Sequence, residues 1–128
     1  MPKQRATKCQ LIVIGTGMAG MAASLFAARR GLDTIQVGLT STIPFASGLL
    51  DLLGVYPVPE GRILDNPWEG IARLGREVPD HPYARIDRHD MRMAWDQLLR
   101  SLSDAGLPYV SARDRNLRMV TPVGTVKT

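Results

Sequence analysis

Residues 1–54 have the hydrophobic pattern of a strand, a helix and a second strand. Gln10–Ile14 ends in four consecutive aliphatic residues, which is typical of a parallel strand covered on both faces. Met18–Arg30 is rich in alanine and precedes Gly31, as expected of a helix that packs on a sheet and ends at a glycine. Thr34–Leu39 predicts a second strand, and the right-handed crossover rule places it parallel to the first. The segment therefore predicts a βαβ unit.

Two helices are predicted in residues 55–128. Asn66, Pro67 and Glu69 form a helix start, with Asn as cap and Pro at the first position, and this helix extends to about Glu77. The clearest amphipathic helix begins at Asp87 or His89 and ends at Ala105, before Gly106. Its apolar residues, which include Trp95, recur at three- and four-residue steps, so we expect them in the core.

The remaining elements are extended. Leu107–Val110 predicts the start of a strand, and Arg118–Lys127 predicts a hairpin whose turn lies near Pro122-Val123-Gly124. A doubly wound sheet needs more strands than these to cover the first two. We therefore expect the chain to be the front portion of a longer protein.

Between the first strand and the first helix lies a Gly-x-Gly-x-x-Gly turn. Gly15 allows the tight turn, Gly17 lets the backbone approach a phosphate, and Gly20 lets the helix pack closely on the strand. Thr16 and Met18 contribute backbone N–H groups to the same turn, next to the positive end of the helix dipole. These five residues are the predicted cofactor-binding turn. The alternative is that the glycines serve only strand–helix packing.

The end of the second strand lacks the residues that usually bind a nicotinamide cofactor. A dinucleotide-binding unit places Asp or Glu about 20 residues on, bonded to the ribose. No acidic residue occurs between Asp33 and Asp51, and no Lys or Arg occurs between Arg30 and Arg62. This pattern weakens NAD and argues more strongly against NADP. A flavin cofactor that is bound without an adenosine half would not need this Asp or Glu.

Residues 42–58 contain a second candidate contact segment. Ser47 and Gly48 are small residues whose backbone could approach a flat ring or a phosphate. The alternative is a short helix in which Ser47 is the cap and Leu49, Leu52 and Leu53 form the apolar face.

Composition excludes several other classes. The 128 residues are 45% hydrophobic and carry 16 basic and 12 acidic side chains, a net charge of +4. Between residues 62 and 118, ten basic and nine acidic side chains are well interspersed. This distribution and the 5% aromatic content do not indicate nucleic-acid binding. No apolar run reaches the ~18–20 residues of a membrane span. We see no signal peptide and expect a cytoplasmic protein. The single Cys9 has no metal-ligand spacing, and no metal site is predicted.

His81 and His89 are the only histidines. Oxidation of an alcohol needs a proton acceptor, and His81, in a His-Pro-Tyr sequence, is the one weak candidate for a catalytic base. The alternative is a turn histidine that is fixed by the following proline. His89 is expected to be exposed.

Four motifs together resemble the family of the B subunit of anaerobic glycerol-3-phosphate dehydrogenase. They are Ile-Val-Ile-Gly-Thr-Gly-Met-Ala-Gly at 12–20, Ala-Ser-Gly-Leu-Leu-Asp-Leu-Leu at 46–53, His-Pro-Tyr at 81–83 and Thr-Pro-Val-Gly-Thr at 121–125. The first is shared by many flavoproteins, whereas the second and fourth are much more specific.

The resemblance implies an α/β flavoprotein with a Rossmann-like FAD/NAD(P)-binding domain. The domain is incomplete here, with a βαβ start, two helices and a β-hairpin. Residues 1–128 are then one truncated flavin-binding domain. In it, 1–54 form the βαβ phosphate-binding unit and following loop, and 55–128 form the helical segment and the start of a hairpin.

The resemblance also implies a cofactor, partners and a reaction. The flavin is FMN, with FAD as the alternative. The partners are a catalytic A subunit and an iron–sulfur C subunit that anchors the assembly to the membrane. The substrate is sn-glycerol 3-phosphate, which is oxidised to dihydroxyacetone phosphate while electrons pass to quinone. Family chains are several times longer, so activity is expected of a longer protein rather than of residues 1–128 alone.

Two other functions remain open. The first is a non-catalytic assembly or electron-relay subunit with a structural Rossmann unit. The second is a nicotinamide-dependent reductase, which the missing ribose acid disfavours.

Overall fold

A computed structural model of the chain describes residues 7–39 and 50–128. The chain divides into two units, Met1–Leu49 and Leu50–Thr128. The first unit contains β1 (Leu11–Ile14), α1 (Met18–Arg29) and β2 (Thr34–Val37). The second contains α2 (Pro67–Glu77), a 3₁₀ helix (Pro82–Ala84), α3 (Arg88–Asp104), β3 (Met119–Val120) and β4 (Val126–Lys127).

The predicted βαβ unit is confirmed. β1 and β2 are parallel, with Leu11 opposite Thr34 and Ile14 opposite Val37. α1 contacts both strands. Together with the helices of the second unit, this arrangement confirms the mixed α/β class.

α1 ends at the glycine that the sequence indicates. Gly31 has a φ of 74°, a left-handed conformation that favours glycine. Its N–H donates to the Ala28 carbonyl (2.9 Å), and the Leu32 N–H donates to the Ala27 carbonyl (3.2 Å). These two bonds form a Schellman motif, which satisfies carbonyl groups that the last turn leaves unpaired.

The predicted burial of β1 on both faces is wrong for the part of the chain that the structure describes. The side chains of Ile12 and Ile14 are 58% and 86% exposed. The cause is the small sheet, since the described first unit offers only β2 and α1 to cover β1. The aliphatic pattern identified the strand but not its burial.

The first helix of the second unit begins at the predicted cap, and the second begins at one of its two predicted starts. The Asn66 side chain accepts a hydrogen bond from the Trp68 N–H (2.9 Å), with Pro67 at the first helical position. The Asp87 carboxylate accepts one from the His89 N–H (2.7 Å), which places the start of α3 at Arg88. These bonds pair N–H groups that have no carbonyl partner within the helix.

Trp68, rather than Trp95, is the buried tryptophan of the second unit. Trp68 is 2% exposed and packs in α2 with buried Ile71 and Leu74, whereas Trp95 is only half-buried, so its predicted core position is wrong. The Trp68 Nε1–H donates to the Arg113 carbonyl (3.1 Å). A buried indole needs such a partner for its N–H, and Trp68 finds one in the segment that follows α3.

The predicted hairpin is confirmed and the predicted strand before it is not. β3 and β4 are antiparallel, and the Thr121 N–H donates to the Thr125 carbonyl (2.7 Å), with Gly124 at a φ of 79°. Leu107–Val110 forms no strand, and Val110 is 87% exposed. A β-prone sequence becomes a strand only where a ladder partner is available, and the described chain offers none there.

In the described ranges, no helix is both long and apolar enough to cross a membrane.

Candidate functional site

The glycine turn is fixed to β2 through both backbone groups of Gly15. Its N–H donates to the Val37 carbonyl (2.8 Å), and its carbonyl oxygen accepts a hydrogen bond from Nε2 of Gln36 (2.7 Å). Gly15 itself has a φ of 126°, which L side chains rarely adopt. The turn therefore requires glycine at this position, and β2 holds it in place.

Gly20 lets α1 pack against this turn. A Cβ atom added at Gly20 would lie 2.3 Å from the Gly15 carbonyl oxygen. The end of β2 also lies close to the turn. A Cβ at Gly38 would lie 2.6 Å from Cγ2 of Thr16. Glycine at 20 and 38 thus lets the helix and the strand end approach the turn between them.

The N-terminus of α1 carries the chemistry of an anion site. Gly17 is its N-cap residue, in an extended conformation, and has no side chain to cap the helix. The first turn contains no acidic residue, and the first backbone bond of the helix is from the Met21 N–H to the Gly17 carbonyl (3.0 Å). The N–H groups of Met18, Ala19 and Gly20 therefore lack carbonyl partners within the helix, and the dipole makes this end positive. A phosphate fits these donors.

The ribose side of the site offers no carboxylate. β2 ends at Val37, and Leu39, just beyond it, has a fully exposed side chain. The described residues thus fit a phosphate group, and the described end of β2 supplies no carboxylate to accept a bond from a ribose. The predicted contacts Ser47 and Gly48 lie outside the described residues.

Gln36 and Gly38 are site residues that sequence analysis did not identify. The available signals were a polar residue within an otherwise aliphatic strand and a glycine at the strand end. The sequence predicts both only as parts of the second strand, because nothing in the local pattern relates them to Gly15 and Thr16.

Residues of two of the four resemblance motifs meet in the second unit, and a residue just after a third joins them. The Tyr83 hydroxyl, from the His-Pro-Tyr motif, donates to the Leu52 carbonyl (2.7 Å). Lys127, beside the Thr-Pro-Val-Gly-Thr motif, forms an ion pair with Asp51. Burial raises the pKa of Tyr83, so the neutral hydroxyl that makes the bond to Leu52 is favoured. Residues 50–53 are not helical, and these contacts hold them from two sides.

His81 caps the 3₁₀ helix. Its Nδ1 accepts a hydrogen bond from the Tyr83 N–H (3.1 Å), and its ring lies 5.1 Å from the Tyr83 ring, centroid to centroid. Because Nδ1 uses its lone pair in this bond, the neutral imidazole carries its proton on Nε2 and has no second lone pair for a substrate proton. This geometry favours the turn role over the base, and a catalytic role for His81 stays a prediction. His89 is exposed.

An exposed polar network lies at the end of α2. The Glu77 carboxylate accepts hydrogen bonds from Nε of Arg73 (2.7 Å) and from the Tyr56 hydroxyl (2.6 Å). The bond from Arg73, followed by that from Tyr56, lowers the pKa of Glu77, and the bond to Glu77 raises the pKa of Tyr56. Among the residues that the structure describes, no group of three or more His, Cys, Asp or Glu could hold a metal ion.

Comparison with known proteins identifies the family to which the chain belongs. The sequence model of the FAD binding domain family matches residues 10–128. The chain belongs to this family of FAD binding domains. The family name specifies FAD, so the preference for FMN is not supported.

Several similar proteins carry the name of the B subunit of anaerobic glycerol-3-phosphate dehydrogenase. The chain is 34% identical over 119 residues to the protein of Aliivibrio fischeri, a match that covers 91% of the chain and 26% of the relative. It is 32% identical over 117 residues to the Vibrio cholerae protein (90% and 26%) and 30% identical over 125 residues to that of Yersinia pseudotuberculosis (94% and 28%). The predicted resemblance to this family is confirmed. The chain spans about a quarter of the length of these curated relatives.

No solved structure matches the chain.

Proposed function

We propose that the chain forms the phosphate-binding part of an FAD-dependent B subunit of anaerobic glycerol-3-phosphate dehydrogenase. The observation that carries the proposal is the turn at 15–20, in which Gly15 is fixed by β2 and an uncapped helix N-terminus follows. The FAD binding domain match and the names of the relatives support the same assignment. The fold of the first unit is then the start of a Rossmann-like domain.

The chain's own residues would bind and orient the cofactor. The N–H groups at the start of α1 would donate to the diphosphate, and the absence of acidic residues from the first turn would avoid repulsion. Gln36 and the Val37 carbonyl fix Gly15, so these donors are held in place before the ligand binds. A bound FAD would supply a hydride acceptor for a secondary alcohol. The ribose would bind without a carboxylate at the described end of β2.

In the longer protein, the substrate would be sn-glycerol 3-phosphate and the product dihydroxyacetone phosphate. Electrons would pass through a catalytic A subunit and an iron–sulfur C subunit to quinone. We place the assembly in the cytoplasm, on the inner face of the membrane through the C subunit. The names of the relatives, which designate one lettered subunit of a dehydrogenase, support the existence of partners.

An electron-relay or assembly subunit is the second candidate. The geometry of His81, the predicted base, favours this candidate, because its Nδ1 already accepts a hydrogen bond from the Tyr83 N–H. In that case the chemistry on the alcohol would belong to a partner subunit. Loss of flavin from the B subunit should leave turnover of the complex unchanged if the subunit serves only assembly, whereas catalysis or electron relay through the flavin should be lost.

The cofactor assignment is tested by purifying the protein and recording its visible absorption. The bound cofactor is then released by denaturation and identified by chromatography. The proposal expects FAD. A protein that carries and takes up neither FAD nor FMN would contradict the proposal, and NADH-dependent protection of the fold would favour the reductase instead.

A further inference from the structure

The second unit contains a cavity that the proposed function does not use. It has a volume of about 230 Å³ and lies between α2, the 3₁₀ helix and the start of α3. Its lining is mainly apolar and includes Trp68, Ile71, Ala84, Ile86 and Met91. Drug-sized ligands need about 300–1,000 Å³, so this cavity fits a smaller molecule.

Two guanidinium groups, those of Arg76 and Arg88, also line the cavity. Arg88 is partly engaged, because it lies 5.3 Å from the centroid of the Trp68 ring and 3.9 Å from the Asp114 carboxylate. Arg76 has no ion-pair partner within residues 7–39 and 50–128. Its sequence neighbour Glu77 directs its two carboxylate oxygens to Arg73 and Tyr56. Arg76 thus forms no ion pair in the described part of the chain, although the charge of Glu77 acts on it, and its guanidinium lines the cavity beside apolar side chains.

We propose that this cavity binds a small organic monoanion, a carboxylate with an apolar body. The carboxylate would pair with the Arg76 guanidinium, whose planar fork binds such groups in a bidentate manner. The apolar body would lie against Ile86 and Met91, the more exposed apolar side chains of the lining. The apolar lining does not suit a polyol such as glycerol 3-phosphate.

Phenylacetate is the probe ligand. Its binding is monitored through the NMR signal of the Trp68 indole Nε1–H in ¹⁵N-labelled protein. The two indole signals are assigned with a Trp95→Phe variant. We expect phenylacetate to shift the Trp68 signal in a saturable manner. Acetate, which lacks the apolar body, 2-phenylethanol, which lacks the charge, and inorganic phosphate should each bind at least about tenfold more weakly, as expected when one of two contacts is lost.

Arg76→Gln removes the proposed anion contact, and Arg100→Gln is the matched control, since Arg100 is exposed on α3 away from the cavity. We expect Arg76→Gln to weaken phenylacetate binding by about 10-fold or more, Arg100→Gln to leave it unchanged and Arg76→Lys to restore part of it. Arg76 is exposed, so the variant should fold. No shift at Trp68, equal effects of the two Gln variants, or equal binding of 2-phenylethanol or phosphate would each overturn the proposal.

Discussion

The carbonyl oxygen of Gly15 lies where a side chain at Gly20 would begin, 2.3 Å from the position of a Cβ atom. This oxygen cannot move aside freely, because Gln36 donates a hydrogen bond to it. The third glycine of the turn is therefore required by contact with the first. The packing role and the phosphate-binding role of the turn are linked, since both depend on the position of Gly15.

Gly20→Ala should consequently destabilise the first unit. Overpacking of this kind costs about 1–3 kcal/mol, and here the clash is with backbone rather than with a flexible side chain. Ser24→Ala is the control on the same helix, because the Ser24 hydroxyl is buried without a hydrogen-bond partner among the described residues. We expect Ser24→Ala to be neutral or slightly stabilising in denaturant unfolding followed by circular dichroism. Equal stability of the two variants would contradict the packing role of Gly20.

Two glycines of α2 should respond in opposite directions to the same change. A Cβ at Gly75 would meet Ala84 at 3.5 Å, an ordinary contact, so Gly75→Ala should raise the free energy of unfolding by about 0.5–1 kcal/mol through helix propensity. A Cβ at Gly70 would lie 2.2 Å from Cδ1 of Leu64, so the overpacking cost of about 1–3 kcal/mol should exceed that gain. Chemical denaturation measures both variants, and stabilisation by Gly70→Ala would show that Leu64 moves aside.

His81 can be tested for capping and for catalysis in one pair of variants. His81→Ala removes the acceptor for the Tyr83 N–H and should cost about 1 kcal/mol of stability, whereas His81→Asn offers an oxygen in its place and should retain most of it. Neither side chain can act as a base. If His81 is only a cap, His81→Asn should keep the turnover of glycerol 3-phosphate by the assembled enzyme. A loss of turnover of about 10²–10⁴-fold in His81→Asn would instead show that His81 is the catalytic base.

Stability of the second unit should fall at alkaline pH. The pKa of Tyr83 is raised above its ordinary value of 10.0 by burial, so the folded state holds the phenol proton more tightly than the unfolded state. The stabilisation from this proton is complete below about pH 10 and is lost as the pH rises through the folded pKa. Tyr83→Phe should flatten this decline and, by removing the bond to Leu52, cost about 0.5–1.5 kcal/mol at neutral pH.

Tyr56→Phe is the comparison variant, since the hydrogen bond to Glu77 also raises the pKa of exposed Tyr56, so its proton contributes to the same decline. Unfolding free energies measured between neutral and alkaline pH separate the two tyrosines. An unchanged alkaline decline in Tyr83→Phe would show that the Tyr83 proton does not control it.

The parts of the fold that local signals determine were predictable from the sequence. The caps at Asn66 and Asp87 and the glycine ends at Gly31 and Gly106 each satisfy backbone groups within a few residues. The Gly-x-Gly-x-x-Gly spacing likewise places its own turn between a strand and a helix.

The parts that depend on distant partners were not predictable. The bond from Gln36 to Gly15 joins residues 21 apart, and the bond from Trp68 to Arg113 joins residues 45 apart. Which tryptophan is buried, and whether Val110 joins a ladder, depends on such contacts rather than on periodicity. His81 differs from these cases, because its partner is only two residues away: its sequence permits both a base and a cap, and the bond from the Tyr83 N–H favours the cap.

The central claim is that the start of α1 binds the FAD phosphates, and Gly17→Asp tests it most directly. The φ of −79° at Gly17 suits any residue, and Asp is a favourable N-cap, so the variant should keep or increase its stability. Its carboxylate would occupy the anion site and repel the phosphates, while Gly17→Asn is a control of similar size without the charge. Titration of the purified protein with FAD, followed by flavin fluorescence, should show a loss of affinity of about 100-fold or more in Gly17→Asp and a smaller loss in Gly17→Asn. An FAD affinity in Gly17→Asp equal to that of the unchanged protein would contradict the account.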